Sequence, residues 1–196
     1  MKEIVRMIVM LGLISFASGG LLAALREGTQ ERIDQQVLEF VKGPAIRTVF
    51  QGAGNDPIAN RFQIKDGGET RSFFVGVIGG EPRGVAFETA GRGYKADVGL
   101  MVAIDVKDDK VIAVDVTTHS ETPGLGSKAK TDPKFSGQFK GLPVAKPVKV
   151  NQDGGSINAI SGATITSRAV TGATSSAFTV YERLKPEILA KMKELK

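Results

Sequence analysis

Two short runs hold the residues best suited to chemistry. The first, Ser161-Gly162-Ala163-Thr164-Ile165-Thr166-Ser167, packs four hydroxyls into seven residues and sets Thr164 directly after two residues too small to shield it. An open hydroxyl of this kind can accept a phosphoryl group, provided that something stabilises the negative charge arriving with it. Thr166 and Ser167 are good N-cap types, so a helix is expected just past Thr164. Its unpaired N–H groups and dipole would face the phosphate, and Arg168 in the first turn would add a charge-assisted contact. Taken by spacing alone, the run is more commonly an ordinary Ser/Thr-rich helix cap.

The second run, His119-Ser120-Glu121-Thr122-Pro123-Gly124-Leu125-Gly126, lies about forty residues upstream. Pro123 fixes one dihedral, while Gly124 and Gly126 permit positive φ and close backbone approach. This gives the run the shape of a ligand loop. Leu125 could cover the face of a planar ring, and Glu121 with Thr122 could hydrogen-bond its polar edge. The plainer alternative is a Pro-Gly turn after a strand. His119, the lone histidine, reads as a hydrogen-bonded loop residue and is given no catalytic role. Gly91-Arg92-Gly93-Tyr94 reads as a glycine-rich turn before a strand, and a Gly-x-Gly alone does not imply phosphate binding. No dinucleotide fingerprint or Walker loop follows a strand, so NADH and ATP are not expected ligands.

The elements that must carry these runs read as one α+β domain. Strand patterns cover 71–78, 84–89, 99–106 and 110–117. Asp108-Asp109 marks a tight hairpin, and Val102, Ile104 and Val106 alternate onto one face. Residues 123–149 are rich in Gly, Pro and Lys with little periodicity. They predict a long ordered loop holding a short helix near 135–139. Beyond Thr166 a helical stripe runs through Val170, Ala173, Ala177, Val180 and Leu184, followed by a separate short helix over 186–196.

Composition closes several routes. The chain has no cysteine and one histidine, which excludes disulfides, thiolate metal sites, iron–sulfur clusters and a His-rich metal centre. Any redox group must therefore be organic and bound. The net charge of +5 is scattered, and with no Trp and two Tyr there are no platforms for stacked bases, so nucleic acid is not an expected partner. A basic surface facing an anionic membrane is the simpler account.

Met7 to Leu25 is a run of 19 uncharged residues, long enough to span roughly 28 Å as a helix, near the hydrocarbon thickness of a bilayer. Lys2, Arg6 and the amino terminus outweigh the Arg26-Glu27 edge, placing the N-terminus in the cytoplasm and the rest outside. Ser15-Phe16-Ala17 also offers a signal-peptide cleavage pattern, but the apolar run continues through Leu21, Leu22 and Leu25. A retained anchor is the reading taken. Gly12, Ser15, Gly19 and Ala23 would let partner membrane helices approach closely. The expected organisation is an anchor over 1–26, a stalk helix over 27–45 and an extracytoplasmic domain over 46–196.

Together, the two runs and the anchor resemble the covalent-FMN-binding domain family. It is shared by the G subunit of Rnf-type ferredoxin:NAD oxidoreductases and the C subunit of the sodium-pumping NADH:quinone reductase. The resemblance covers most of the chain, and the length suits the former better. It implies FMN esterified through its phosphate to Thr164 within Ser161-Gly162-Ala163-Thr164. Thr166, Ser167 and Arg168 would stand beside the phosphate, and Glu121, Thr122, Gly124 and Leu125 would contact the flavin. It further implies an attachment enzyme that moves FMN from FAD, and membrane-subunit partners in an ion-translocating electron-transport complex. Asn158 stands where the family motif usually has Asp. Thr171-Gly172-Ala173-Thr174 nearly repeats the acceptor element, but Arg168 occupies that Asp position and Thr174 falls inside the predicted helix, so Thr164 is preferred. The rivals are the same flavin domain in another extracytoplasmic respiratory chain, and a flavin-free membrane-tethered scaffold.

Overall fold

The structure is a computed structural model that describes residues 1–194. The last two positions of the expected C-terminal helix, Leu195 and Lys196, lie outside the described residues. The chain forms two compact units, Met1–Phe40 and Val41–Lys196. In the first, helix α1 (Lys2–Gln36) has no buried residue. The helical stretch that begins with it is long and apolar enough to cross a membrane.

The second unit begins with a short helix, α2 (Gly43–Val49), and continues into a meander of five antiparallel strands in the order β1-β2-β3-β4-β5. The strands are β1 (Arg61–Asp66), β2 (Glu69–Ile78), β3 (Glu81–Arg92), β4 (Asp97–Asp105) and β5 (Lys110–Val116). Their turns are written in the sequence. Gly67-Gly68 and Gly79-Gly80 all have positive φ, the conformation that two-residue hairpins of right-twisted strands require. The expected Asp108-Asp109 hairpin is present, with Asp109 at φ 49°. β1 was not expected: only Ile64 of its six residues is fully buried, so the apolar alternation is faint.

Both faces of the central strands are covered. Helix α5 (Thr164–Glu194) lies over one face, where Val98, Leu100, Val102 and Ile104 join Phe73, Phe87 and the helix stripe in a single core. The stripe expected from sequence is buried at each of its five positions, and it continues through Ile188 and Met192. On the opposite face, Ala45, Ile46, Val49 and Phe50 of α2 and its exit are buried with Met101 and Ala103. The Phe50 ring occupies the space above Gly76 and Gly84, where an added Cβ would come within 2.5 Å of it. The expected alternation in β4 is present, with Val102 and Ile104 in the core under α5 and Val106 packed against it. The intervening residues are buried as well, so Val98–Ile104 is buried throughout, because the strand is sandwiched.

Two helix boundaries also differ from expectation. α5 begins at Thr164, not after Thr166, and runs unbroken through Pro186 to Glu194. Gly162, at φ 76°, reverses the chain so that the helix starts immediately at the open threonine. Before it, the 117–163 segment carries two single-turn helices, α3 (Lys128–Thr131) and α4 (Pro133–Ser136), and a 3-10 turn at Gly137–Phe139. These lie at or near the short helix expected around Phe135.

Candidate functional site

The two runs meet at the N-terminus of α5, and Glu121 joins them. Its side chain is buried. Oε2 accepts a 2.5 Å hydrogen bond from Thr166 Oγ1, and Oε1 accepts from the backbone N–H groups of Tyr94 (2.9 Å) and Lys95 (3.2 Å). One carboxylate thereby ties the β3–β4 turn, the 119–126 loop and the first turn of α5. Burial opposes its charge, but these three donors outweigh that and hold its pKa below the ordinary glutamate value. The close fit explains two glycines. A Cβ at Gly93 would stand 2.6 Å from Glu121 Oε1, and one at Gly126 would stand 2.8 Å from Thr166 Oγ1.

Around this clamp the loop is held by its own backbone. Thr122 O accepts from Leu125 and Ser127, and Ser127 Oγ accepts from Gly124 N, with Gly124 at φ 75°. Leu125 reaches across to the other run: a Cβ on Gly162 would lie 3.2 Å from Leu125 Cδ2. The leucine therefore rests on the backbone just before Thr164.

Ser167 Oγ accepts from Ile160 N (2.9 Å) and donates to Ala163 O (3.0 Å), bracing the Ile160–Ala163 turn from inside the helix. Thr166 and Ser167, expected as N-caps, are thus buried braces. Arg168 forms a two-pronged pair with Asp153, at 2.8 and 2.7 Å, so its guanidinium is already engaged. Asn158 exchanges two hydrogen bonds with Gln138 through its backbone, and its side-chain oxygen accepts from Asn151 at 2.6 Å.

What remains open at the helix start is Thr164. It is half-buried, and its hydroxyl has no hydrogen-bond partner among the described residues. The backbone N–H groups of Thr164, Ile165 and Thr166 also have no acceptor there; the first N–H turned back into the helix is Ser167, to Ala163 O. An open hydroxyl beside three free N–H donors at a helix N-terminus fits a phosphoester. Thr174 is the opposite case: fully buried, its Oγ1 donates to Val170 O at 2.8 Å. Beside Ser161, itself exposed just ahead of the helix, opens a cavity of about 430 Å³ lined by Lys128, Asp132, Lys134, Phe135, Gln138 and residues 158–161.

Sequence reasoning missed two neighbours. Beyond Val41, the exposed large hydrophobic side chains among the described residues are Tyr94 (67%), Leu125 (45%) and Ile165 (48%). All three sit on the segments joined at this clamp. Tyr94 and Ile165 adjoin motif residues, and that adjacency was the available signal.

Comparison with known proteins agrees with this geometry. Residues 93–179 match the FMN-binding domain family, a span that contains both runs. The G subunit of the ion-translocating oxidoreductase complex of Methanosarcina acetivorans is 34% identical over 177 residues, covering 90% of this chain and 93% of that protein. Its counterpart from Cereibacter sphaeroides is 32% identical over 190 residues, covering 93% and 86%. The chain belongs to this G-subunit family. Another relative is the G subunit of the proton-translocating ferredoxin:NAD(+) oxidoreductase complex of Clostridium ljungdahlii, 32% identical and covering 80% of each chain.

Among solved structures, the C subunit of the Na(+)-translocating NADH-quinone reductase of Parabacteroides distasonis is similar, with a TM-score of 0.51 at 28% identity. That match covers 57% of this chain and 61% of that one. NqrC of Shewanella oneidensis, at 22% identity and a TM-score of 0.51, shares the fold. In this member of the G-subunit family the FMN-binding match, the mixed helix and antiparallel sheet and the apolar N-terminal helix coincide, as the sequence resemblance implied.

Proposed function

We propose that the chain carries FMN joined through its phosphate to Thr164 Oγ1 and relays electrons within an ion-translocating oxidoreductase complex. The observation that carries this is the state of Thr164. Of the three hydroxyls in the first turn of α5 it alone is accessible and unengaged, and it stands beside three N–H groups free to receive a phosphate oxygen. In the attachment step, Thr164 Oγ1 attacks the flavin-side phosphorus of FAD. The P–O–P bond breaks, AMP leaves with the bonding pair, and the hydroxyl proton passes to a base of the attachment enzyme.

The bound flavin supplies the redox chemistry; the protein's part is to hold and orient it. Gly162 keeps the approach open, Ala163 leaves the helix start unshielded, and Leu125 with Thr122 and Gly124 offers an apolar rest and backbone groups for the ring. Glu121, Thr166 and Ser167 keep the two runs in register from beneath. Arg168 steadies the Asn151–Asp153 turn through Asp153.

Residues 1–26 anchor the chain and 27–45 act as its stalk, with the N-terminus cytoplasmic and residues 46–196 extracytoplasmic. Its partners are the membrane subunits of the complex and, during maturation, the attachment enzyme. The test is expression in a host that flavinylates, followed by ultraviolet fluorescence of the denatured chain on a gel. Thr164→Val loses the fluorescent band and Thr174→Val retains it; a band retained in Thr164→Val defeats the assignment.

A further inference from the structure

The segment between Thr122 and Gln152 carries six lysines, at 128, 130, 134, 140, 146 and 149, against a single acid, Asp132. All six are exposed, and none forms an ion pair among the described residues. By contrast, Arg71, Arg83, Arg92, Arg168, Arg183 and Lys185 all pair with carboxylates. Of the six unpaired lysines, Lys128 and Lys134 border the site, lining the same cavity as Ser161.

Next to that cationic margin lie Tyr94 and Ile165, large hydrophobics that are exposed and, unlike Leu125, are not assigned to the flavin ring. Their backbones are fixed by the Glu121 clamp and the Leu125–Gly162 contact. A rigid apolar centre beside a charged, hydrated margin is the anatomy of a protein interface.

We infer that this face is the docking surface for an acidic electron-transfer protein or domain, which Lys128 and Lys134 steer toward Thr164 and Tyr94 and Ile165 receive. The inference rests on the flavin reading above and names the charge class of that site's partner. An anionic membrane could also attract lysines. Lipid covering Tyr94 and Ile165 would, however, also cover the proposed redox site at the adjoining Thr164 and shut out an electron-transfer partner, and so the protein partner is the reading chosen. Small, weak, electrostatically steered contacts suit electron transfer, which needs rapid release as well as encounter.

The experiment uses the full chain in nanodiscs of uncharged lipid. Two redox proteins of opposite charge serve as probes, an acidic plant-type [2Fe–2S] ferredoxin and a basic mitochondrial cytochrome c. Binding is measured as ionic strength rises from about 10 to about 150 mM, over which the Debye length falls from roughly 30 to 8 Å. The ferredoxin is expected to bind at low salt and weaken steeply, while cytochrome c does not bind. Lys128→Glu with Lys134→Glu should weaken ferredoxin binding about tenfold, as for charges in a steered contact. The same charge change at Lys107→Glu and Lys193→Glu should have little effect. Tyr94→Ser should weaken binding without changing its salt dependence.

Equal loss from both double variants would overturn the inference, since only net charge would then matter. Failure to bind ferredoxin, with tight binding to vesicles containing anionic phosphatidylglycerol, would overturn it in favour of a lipid surface. Intact mass of the same preparations separates the two levels: a flavin-loaded chain that fails the charge test defeats only the docking surface, and a chain without flavin on Thr164 defeats the reading beneath it.

Discussion

At the scale of single residues, the site separates groups that stay open from groups that hold them. Thr164 is free, whereas Glu121, Thr166 and Ser167 are consumed by internal hydrogen bonds. Glu121 gives a prediction with a definite sign. Its folded pKa lies below the ordinary value of about 4.3. Its contribution to stability is therefore complete above the unfolded value and is lost as pH falls through the lower, folded one. Thermal melts should show wild type more stable than Glu121→Gln by a constant margin from neutral pH to about pH 5, shrinking below about pH 4. Glu121→Ala, which strands two N–H groups and a hydroxyl, should cost about 2–3 kcal/mol. A margin that grows in acid would show that the clamp is not a carboxylate. The sequence placed Glu121 at a ligand's polar edge. The clamp beneath was not legible there, because Thr166 and Tyr94 are 45 and 27 residues away from it, and only the fold closes those distances.

At the scale of elements, the position of α5 on the sheet sets the position of Thr164. Gly91 decides how closely they approach, since an added Cβ there would collide with the backbone carbonyl of Ala169, one turn past Thr166. Gly91→Ala should destabilise the domain by about 1–3 kcal/mol, the usual range for overpacking. It should also slow flavin attachment in a time course, by displacing the helix start; unchanged stability and attachment would show that α5 tolerates a lift. The sequence marked Gly91 and Gly93 as a turn, but it could not show that one spaces the helix and the other makes room for Glu121. Helix existence was legible from the Val170–Leu184 stripe, because a 3.6-residue period survives burial. The helix start was not, since Thr166 and Ser167 look like caps, and only the left-handed turn at Gly162 moves the start back to Thr164. β1 was hidden for a different reason: a sheet-edge strand needs little apolar sequence, and Gly67-Gly68 was its clearest sign.

At the scale of the molecule, the charge and the apolar surface are unevenly placed. Residues 41–196 hold 22 basic against 16 acidic side chains, while the large exposed apolar run lies in α1. Removing residues 1–40 should release residues 41–196 from the membrane fraction as a folded, soluble protein. Alkaline carbonate extraction and sedimentation would check this; a truncated chain that stays with membranes would place the attachment elsewhere. The apolar character of this stretch was legible, because nineteen consecutive uncharged residues fall within α1.

Covalent flavin on Thr164 is the central claim, and everything proposed for the redox role depends on it. Intact mass of the native protein, with peptide mapping across Ser161–Arg168, measures it in one experiment. The expected result is a single FMN-sized addition, located on Thr164. An unmodified chain from a host able to attach flavin, or an addition located on Thr174, would contradict it.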